Sequence, residues 1–235
     1  MAKKAAWQGI FPAVTTKFTA DDRLDIAEME RCYAMQVEAG IHGLITCGSL
    51  GEASTLDPDE KIEVLKTAIR VANGKMPVLQ TVSSGSTRAA QKAAEAAAKA
   101  GAAGLMVLPG LPYKSEPHET IAHFKAVAKA GGLPVMIYNN PIAYGVDIKP
   151  AMLAELAADP LFVAVKESSD DIRRVTQIIN LMGDKLQIFT GVDNLALESI
   201  AMGAVGWVAG LVCAFPAETV AIQYDRRENL VARTA

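Results

Sequence analysis

Short apolar runs alternate along this chain with longer segments whose apolar positions recur at helical spacing, and the alternation continues from residue 8 nearly to the end. The runs GIFPAV from Gly9, HGLITC from His42, PVLQTV from Pro77, GLMVL from Gly104, PVMIY from Pro134, FVAVK from Phe162, LQIFT from Leu186 and VGWVA from Val205 predict eight strands. Segments such as DIAEMERCYAMQVEAG, PDEKIEVLKTAIRVANG and STRAAQKAAEAAAKAG predict helices, each ending in the glycine that takes a left-handed C-terminal position. Asp57 and Ser86 stand where N-caps belong. Strands apolar on both faces and joined by helices predict a parallel sheet covered on both sides, and eight such units favour closure. An open doubly wound sheet brings a glycine-rich phosphate loop after its first strand, whereas VTTKFTADDR, which follows here, contains no glycine. The expected fold is α/β, a (β/α)8 TIM barrel forming one catalytic domain over residues 1–222. The apolar period fades near Gln223, so residues 223–235 read as a polar C-terminal tail.

Composition narrows the function classes. With 51% hydrophobic and 21% charged residues and a net charge of −3, the chain has neither the polar excess of a disordered protein nor the basic excess of a nucleic-acid binder. Its first residues, MAKKAAWQGI, lack the apolar core of a signal peptide, and no stretch of about 18 apolar residues escapes interruption by charge. A cytoplasmic protein without membrane partners is expected. Cys32, Cys47 and Cys213 are odd in number and scattered, as buried reduced thiols are. His42, His118 and His123 share no ligand spacing, so no metal site and no cofactor are expected.

In a barrel of this kind chemistry belongs at the C-terminal ends of the strands. The sixth run, LFVAVKESS, ends its apolar stretch in Lys166, which by strict alternation shares a face with Ala164 and Phe162. A lysine above small or apolar neighbours loses hydration, and its neutral amine can attack a carbonyl to make an imine. A lysine in that place can also snorkel to the rim and pair with Glu167. Tyr138 ends the fifth run and falls beside Lys166 on the adjacent strand, where a phenol can carry protons for imine formation. CGSLGE, after the second run, combines Gly48, Ser49 and Leu50 in a turn whose amides and hydroxyl can hold a carboxylate, or which simply leads Glu52 into a helix. TGVDN, with Gly191, and GWVAG, with Val208, leave room at the mouth or allow close helix packing.

GIFPAVTT, GSLGE, YNNP, VAVKESS and TGVDN, in that order, resemble the dihydrodipicolinate synthase and N-acetylneuraminate lyase family over roughly residues 7–222. The resemblance implies a class I enzyme in which Lys166 forms a Schiff base with a 2-oxo acid, and Ser49 and Leu50 hold the substrate carboxylate. It implies that Tyr138 relays protons with Ser49, and that Gly191 and Val208 line the site. It also implies a homo-oligomer, dimer or tetramer, with C-terminal helices that are missing or truncated here. Synthases of the family carry an arginine where this chain has Ala143. The tyrosine pair expected after strand four is replaced by LPGLPYKSEP, which leaves Tyr113 as the nearby candidate for binding substrate. CGSLGE, YNNPIAYGVD, KESSDDIRR and TGVDN together look most like the branch containing 1-pyrroline-4-hydroxy-2-carboxylate deaminases of hydroxyproline breakdown. The expected reaction is therefore dehydrative deamination to 2-oxoglutarate semialdehyde and ammonia. Aldol or dehydratase chemistry on a sugar-derived 2-oxo acid, dihydrodipicolinate synthesis, and a catalytically silent ligand-binding barrel are the alternatives.

Overall fold

A computed structural model of the chain describes residues 7–110 and 113–222. The expected tail over 223–235 lies outside the described residues. Eight parallel strands form one sheet: β1 (Gly9–Pro12), β2 (Leu44–Thr46), β3 (Val78–Val82), β4 (Gly104–Val107), β5 (Val135–Asn139), β6 (Phe162–Glu167), β7 (Gln187–Thr190) and β8 (Gly206–Ala209). Each lies within or one residue beyond a predicted run. Pairing proceeds from β2 through β8 to β1, and an isolated parallel bridge between Ala13 and Ile45 joins β1 to β2. Val14 donates its amide to the Ile45 carbonyl at 3.0 Å, so the sheet closes into the (β/α)8 barrel.

Helices α1 (Ile26–Glu38), α2 (Pro58–Ala72), α3 (Thr87–Lys99) and α4 (Pro117–Gly131) return the chain between successive strands. The connection from β5 to β6 carries two helices, α5 (Pro141–Tyr144) and α6 (Pro150–Leu156). After β6 come α7 (Arg173–Met182) and, beyond β7, the short α8 (Ala196–Ala201). Both expected caps are present. Ser86 Oγ accepts from the Ala89 amide at 3.2 Å, and the Asp57 amide is held by Glu60 Oε2 at 2.8 Å.

Two apolar clusters account for the packing. An outer one joins the strands' external faces to the helices, through residues such as Leu44, Val107, Ile137, Val165 and Phe124. An inner one fills the barrel with Phe11, Ile45, Leu79, Met106, Met136, Ala164 and Phe189, the rings of Phe11 and Phe189 meeting edge to face at 5.1 Å. Phe162 belongs to the outer cluster, so it does not share a face with Lys166 as alternation along the strand suggests. A register shift is the reason: Val135 pairs Phe162 but Met136 pairs Ala164, so the extra residue, Val163, joins the inner cluster and the phase of β6 changes beneath Lys166.

Candidate active site

β5 and β6 carry the two residues at the centre of the site. Their register sets Tyr138 opposite Lys166 and Asn139 opposite Glu167. Tyr138 and Lys166 turn into the barrel, where the Lys166 amine stands 3.9 Å from the centre of the Tyr138 ring. Asn139 and Glu167 turn outward and fasten the strands from behind. Asn139 Nδ2 donates to Glu167 Oε2 at 3.0 Å while its Oδ1 accepts from the Ile148 amide at 2.8 Å, and Glu167 Oε1 accepts from the Ser169 amide at 2.8 Å. Asp147, on the same network, receives two hydrogen bonds from Arg174 at 2.9 and 3.1 Å. Burial pushes the Glu167 carboxyl up, against the pull of its hydrogen bonds to Ser169 and Asn139. Glu167 therefore pairs with the outer shell, and Lys166 does not snorkel toward it.

Lys166 is 6% exposed, and loss of hydration lowers its ammonium from 10.5 to about 8, against a smaller upward pull from the Asp193 carboxylate. At pH 8 about half of such amines are neutral, against about 0.3% for an ordinary lysine. Asp193 is fixed by three donors: Trp207 Nε1 at 3.0 Å, the Gly210 amide at 3.3 Å and the Leu211 amide at 3.0 Å. Gly191 is required by space. A Cβ there would lie 2.0 Å from Ser168 Oγ and 2.6 Å from Lys166 Cε.

These side chains open on a cavity of about 460 Å³ at the C-terminal mouth of the barrel. Gly48, Ser49, Leu50, Tyr138, Lys166, Gly191 and Val208, all selected from the sequence, line it together. Tyr113 does not; it is 84% exposed and absent from the lining. The β2 loop is bracketed by two non-glycine residues with left-handed backbone, Cys47 at φ 53° and Glu52 at φ 54°. Its own turn bonds use the amides of Gly51, Glu52 and Ala53, and leave those of Ser49 and Leu50 outside the turn.

Sequence reasoning missed three participants. Ser168 lines the cavity with its hydroxyl buried and without a hydrogen-bond partner among the described residues. Tyr144, at the end of α5, shares a hydrogen bond of 2.5 Å with Ser49 and packs edge to face on Tyr138. Asp193, passed over inside TGVDN, supplies a carboxylate to the lining. Among the described residues the charged side chains of the lining are Lys166, Asp170 and Asp193, with no arginine. Among the described residues no three His, Cys, Asp or Glu side chains gather as a metal would need, and no helix is long and apolar enough to cross a membrane.

The model of the dihydrodipicolinate synthetase family matches residues 6–228. The chain belongs to that family, and with it to a group of lyases. The 4-hydroxy-tetrahydrodipicolinate synthase of Stenotrophomonas maltophilia is 36% identical over 203 residues, covering 86% of this chain and 68% of that protein. The enzyme of the same name from Methanoculleus marisnigri is 32% identical over 232 residues, covering 97% and 79%. Among solved structures, the dihydrodipicolinate synthase of Acinetobacter baumannii complexed with pyruvate superposes with a TM-score of 0.90 at 29% identity, over 96% of this chain and 79% of that one. YagE, a prophage protein of the same family from E. coli K12 in complex with pyruvate, gives 0.92 at 28%, over 97% and 78%.

Proposed function

We propose that this family member works through an imine on Lys166, and that its reaction is the dehydrative deamination of 1-pyrroline-4-hydroxy-2-carboxylate. The observation that carries the first half is the buried Lys166 amine, lowered to about 8 and facing Tyr138. Pyruvate in the two solved relatives is consistent with a 2-oxo acid at the corresponding place. The second half rests on charge. A synthase joining pyruvate to an aldehyde that bears its own carboxylate needs a cation for that carboxylate, yet the lining offers Ala143 in the arginine's position and two carboxylates, Asp170 and Asp193. A small ring with one carboxylate and a hydroxyl needs no second cation.

In this reading the amides of Ser49 and Leu50 hold the carboxylate. The Lys166 amine adds to C2, and the ring opens when the C2–N bond of the ring breaks, leaving the lysine imine at C2 and a free amine on C5. Loss of a C3 proton gives the enamine, whose electrons expel the C4 hydroxyl as water with a proton delivered through Tyr138. Expulsion leaves a C3=C4 double bond conjugated to the lysine iminium. Loss of a C5 proton and protonation at C3 shift it to the C4=C5 enamine, protonation at C4 gives the C5 imine, and one water releases ammonia there while a second frees the product from Lys166. Net, one water is consumed and one ammonia leaves. Ser168, buried beside Lys166 and without a hydrogen-bond partner among the described residues, is the group for the C4 hydroxyl.

The names of the relatives favour a second reading, condensation of pyruvate with aspartate semialdehyde. Incubation with 4-hydroxy-1-pyrroline-2-carboxylate and measurement of ammonia tests the proposal. Release of ammonia that disappears in Lys166→Met supports it. Turnover of pyruvate with aspartate semialdehyde, and none of the imino acid, replaces it with the synthase reading.

A further inference from the structure

We propose that Tyr144 completes a proton relay within a single chain, linking Tyr138 to Ser49 and so to bulk water. This rests on the imine-forming reading of Lys166. The resemblance expects a tyrosine pair after strand four, but Tyr113, the candidate in that segment, is 84% exposed. A tyrosine reaches the corresponding hydroxyl from elsewhere. Tyr144 comes from the turn after β5, 95 residues along the chain from Ser49, and its hydroxyl meets Ser49 Oγ at 2.5 Å. Its ring stands 5.5 Å from that of Tyr138 at an interplanar angle of 83°.

Local structure holds this arrangement. Asn140 caps α5, its Oδ1 accepting from the Ala143 amide at 3.0 Å, and the same side chain donates through Nδ2 to the Tyr138 hydroxyl at 3.3 Å. One residue thus fixes the turn that carries Tyr144 and orients the phenol of Tyr138 so that its proton points elsewhere. Burial is the first cause that pushes the Tyr144 phenol up to about 12, with the hydrogen bond to Ser49 opposing it and the neighbouring Tyr138 phenol adding to it. A phenol so held remains protonated and passes protons on without storing a negative charge. Ser49 is exposed and forms the outer end.

The step balances. As the carbinolamine collapses, the nitrogen lone pair forms C=N and the C–O bond breaks with its electron pair going to oxygen. Tyr138 gives its proton to the departing oxygen, Tyr144 reprotonates Tyr138, Ser49 reprotonates Tyr144, and solvent reprotonates Ser49. Carbinolamine and one proton become iminium and water, with every hydroxyl restored. Hydrolysis of the imine runs the same path backwards. Every hydroxyl on this path comes from one chain.

The test uses the full chain, pyruvate and borohydride. Tyr144→Phe keeps the ring packed on Tyr138 and removes only the hydroxyl. The amount of pyruvate trapped on Lys166 at equilibrium, read by intact mass, should match the wild type. The rate of imine formation in rapid-quench experiments should fall about 10- to 100-fold, with a changed solvent deuterium isotope effect. Ser49→Ala should fall similarly, and the double variant no further, because both break one path. A wild-type rate and isotope effect in Tyr144→Phe overturn the relay while trapping in the wild type keeps the imine reading. Equal losses in rate and in equilibrium trapping also overturn it, since they mark a packing role. A wild-type chain that traps no pyruvate overturns the imine reading, and the relay with it.

Discussion

Replacing Lys166 by methionine is expected to make the protein more stable at neutral pH, although it removes the reacting amine. Burial lowers this amine from 10.5 to about 8, a difference of about 2.5 pH units or about 3.4 kcal/mol at 1.36 kcal/mol per unit. In the unfolded chain the amine recovers its ordinary value. Between about pH 8 and 10.5 the unfolded chain therefore binds a proton that the folded chain does not, and stability rises with pH across that window. Below pH 8 both states are protonated and the folded state carries the whole cost of a buried ammonium. Methionine has similar length and no charge. It also gives up the contact with the Tyr138 ring at 3.9 Å and the attraction of Asp193. The net gain at pH 7 should be about 1–3 kcal/mol, shrinking toward zero by about pH 10.5. Urea unfolding of both proteins, followed by far-ultraviolet circular dichroism at pH 7, 8.5 and 10, measures it. Parallel stability profiles, or a methionine variant less stable at pH 7, would refute the argument that desolvation governs this lysine.

Three other outcomes follow from named contacts. Ser168→Ala should lower kcat/KM for the hydroxylated imino acid about 3- to 10-fold, the worth of one neutral hydrogen bond, and leave pyruvate trapping unchanged; steady-state kinetics beside intact-mass trapping will check both. Asn139→Ala strands the Ile148 amide and leaves Glu167 buried with fewer donors, so urea unfolding should show a loss of about 2–4 kcal/mol, accompanied by slower trapping as the register behind Lys166 loosens. Dialysis against a chelator should leave turnover unchanged, because the amine and the phenols carry the steps; activity lost to chelation and restored by a divalent ion would contradict this.

Most of the barrel was legible because its strands are apolar on both faces and short, so Gly9, Pro134 and Phe162 open runs that no amphipathic helix would contain. Lys166 and Tyr138 were legible for a related reason: each interrupts such a run at its C-terminal end. Phe162 was misplaced because alternation assumes an unbroken pleat, and the register shift before Ala164 breaks it. Tyr144 was missed because its hydroxyl meets Ser49, a partner 95 residues away, and NNPIAYG reads locally as a capped turn. Ser168 follows the strand's last residue, where alternation no longer assigns a face, and only the close approach of Gly191 reveals that it stands beside Lys166.

This division has a physical origin that bears on how family and reaction are related. The amine and Tyr138 are carried on β5 and β6 and locked from behind by the Asn139 and Glu167 hydrogen bonds, so their mutual position belongs to the sheet. A pattern of strands is enough to recover them, and it is this part that a family match at 32–36% identity reports. Ala143, Tyr144, Asp170 and Asp193 stand on the loops and turns after β5, β6 and β7, where substitution costs the barrel little. They set the charge and shape offered to whatever the imine reacts with next. Two proteins can thus share the lysine and the tyrosine and differ in what they accept next, and Ala143 with the carboxylates on the lining is the feature on which the proposed deamination rests. The hydrogen bond between Tyr144 and Ser49 goes a step further: it ties two loop residues together beside Tyr138, so that in the proposed relay the loops share the proton path with the strands.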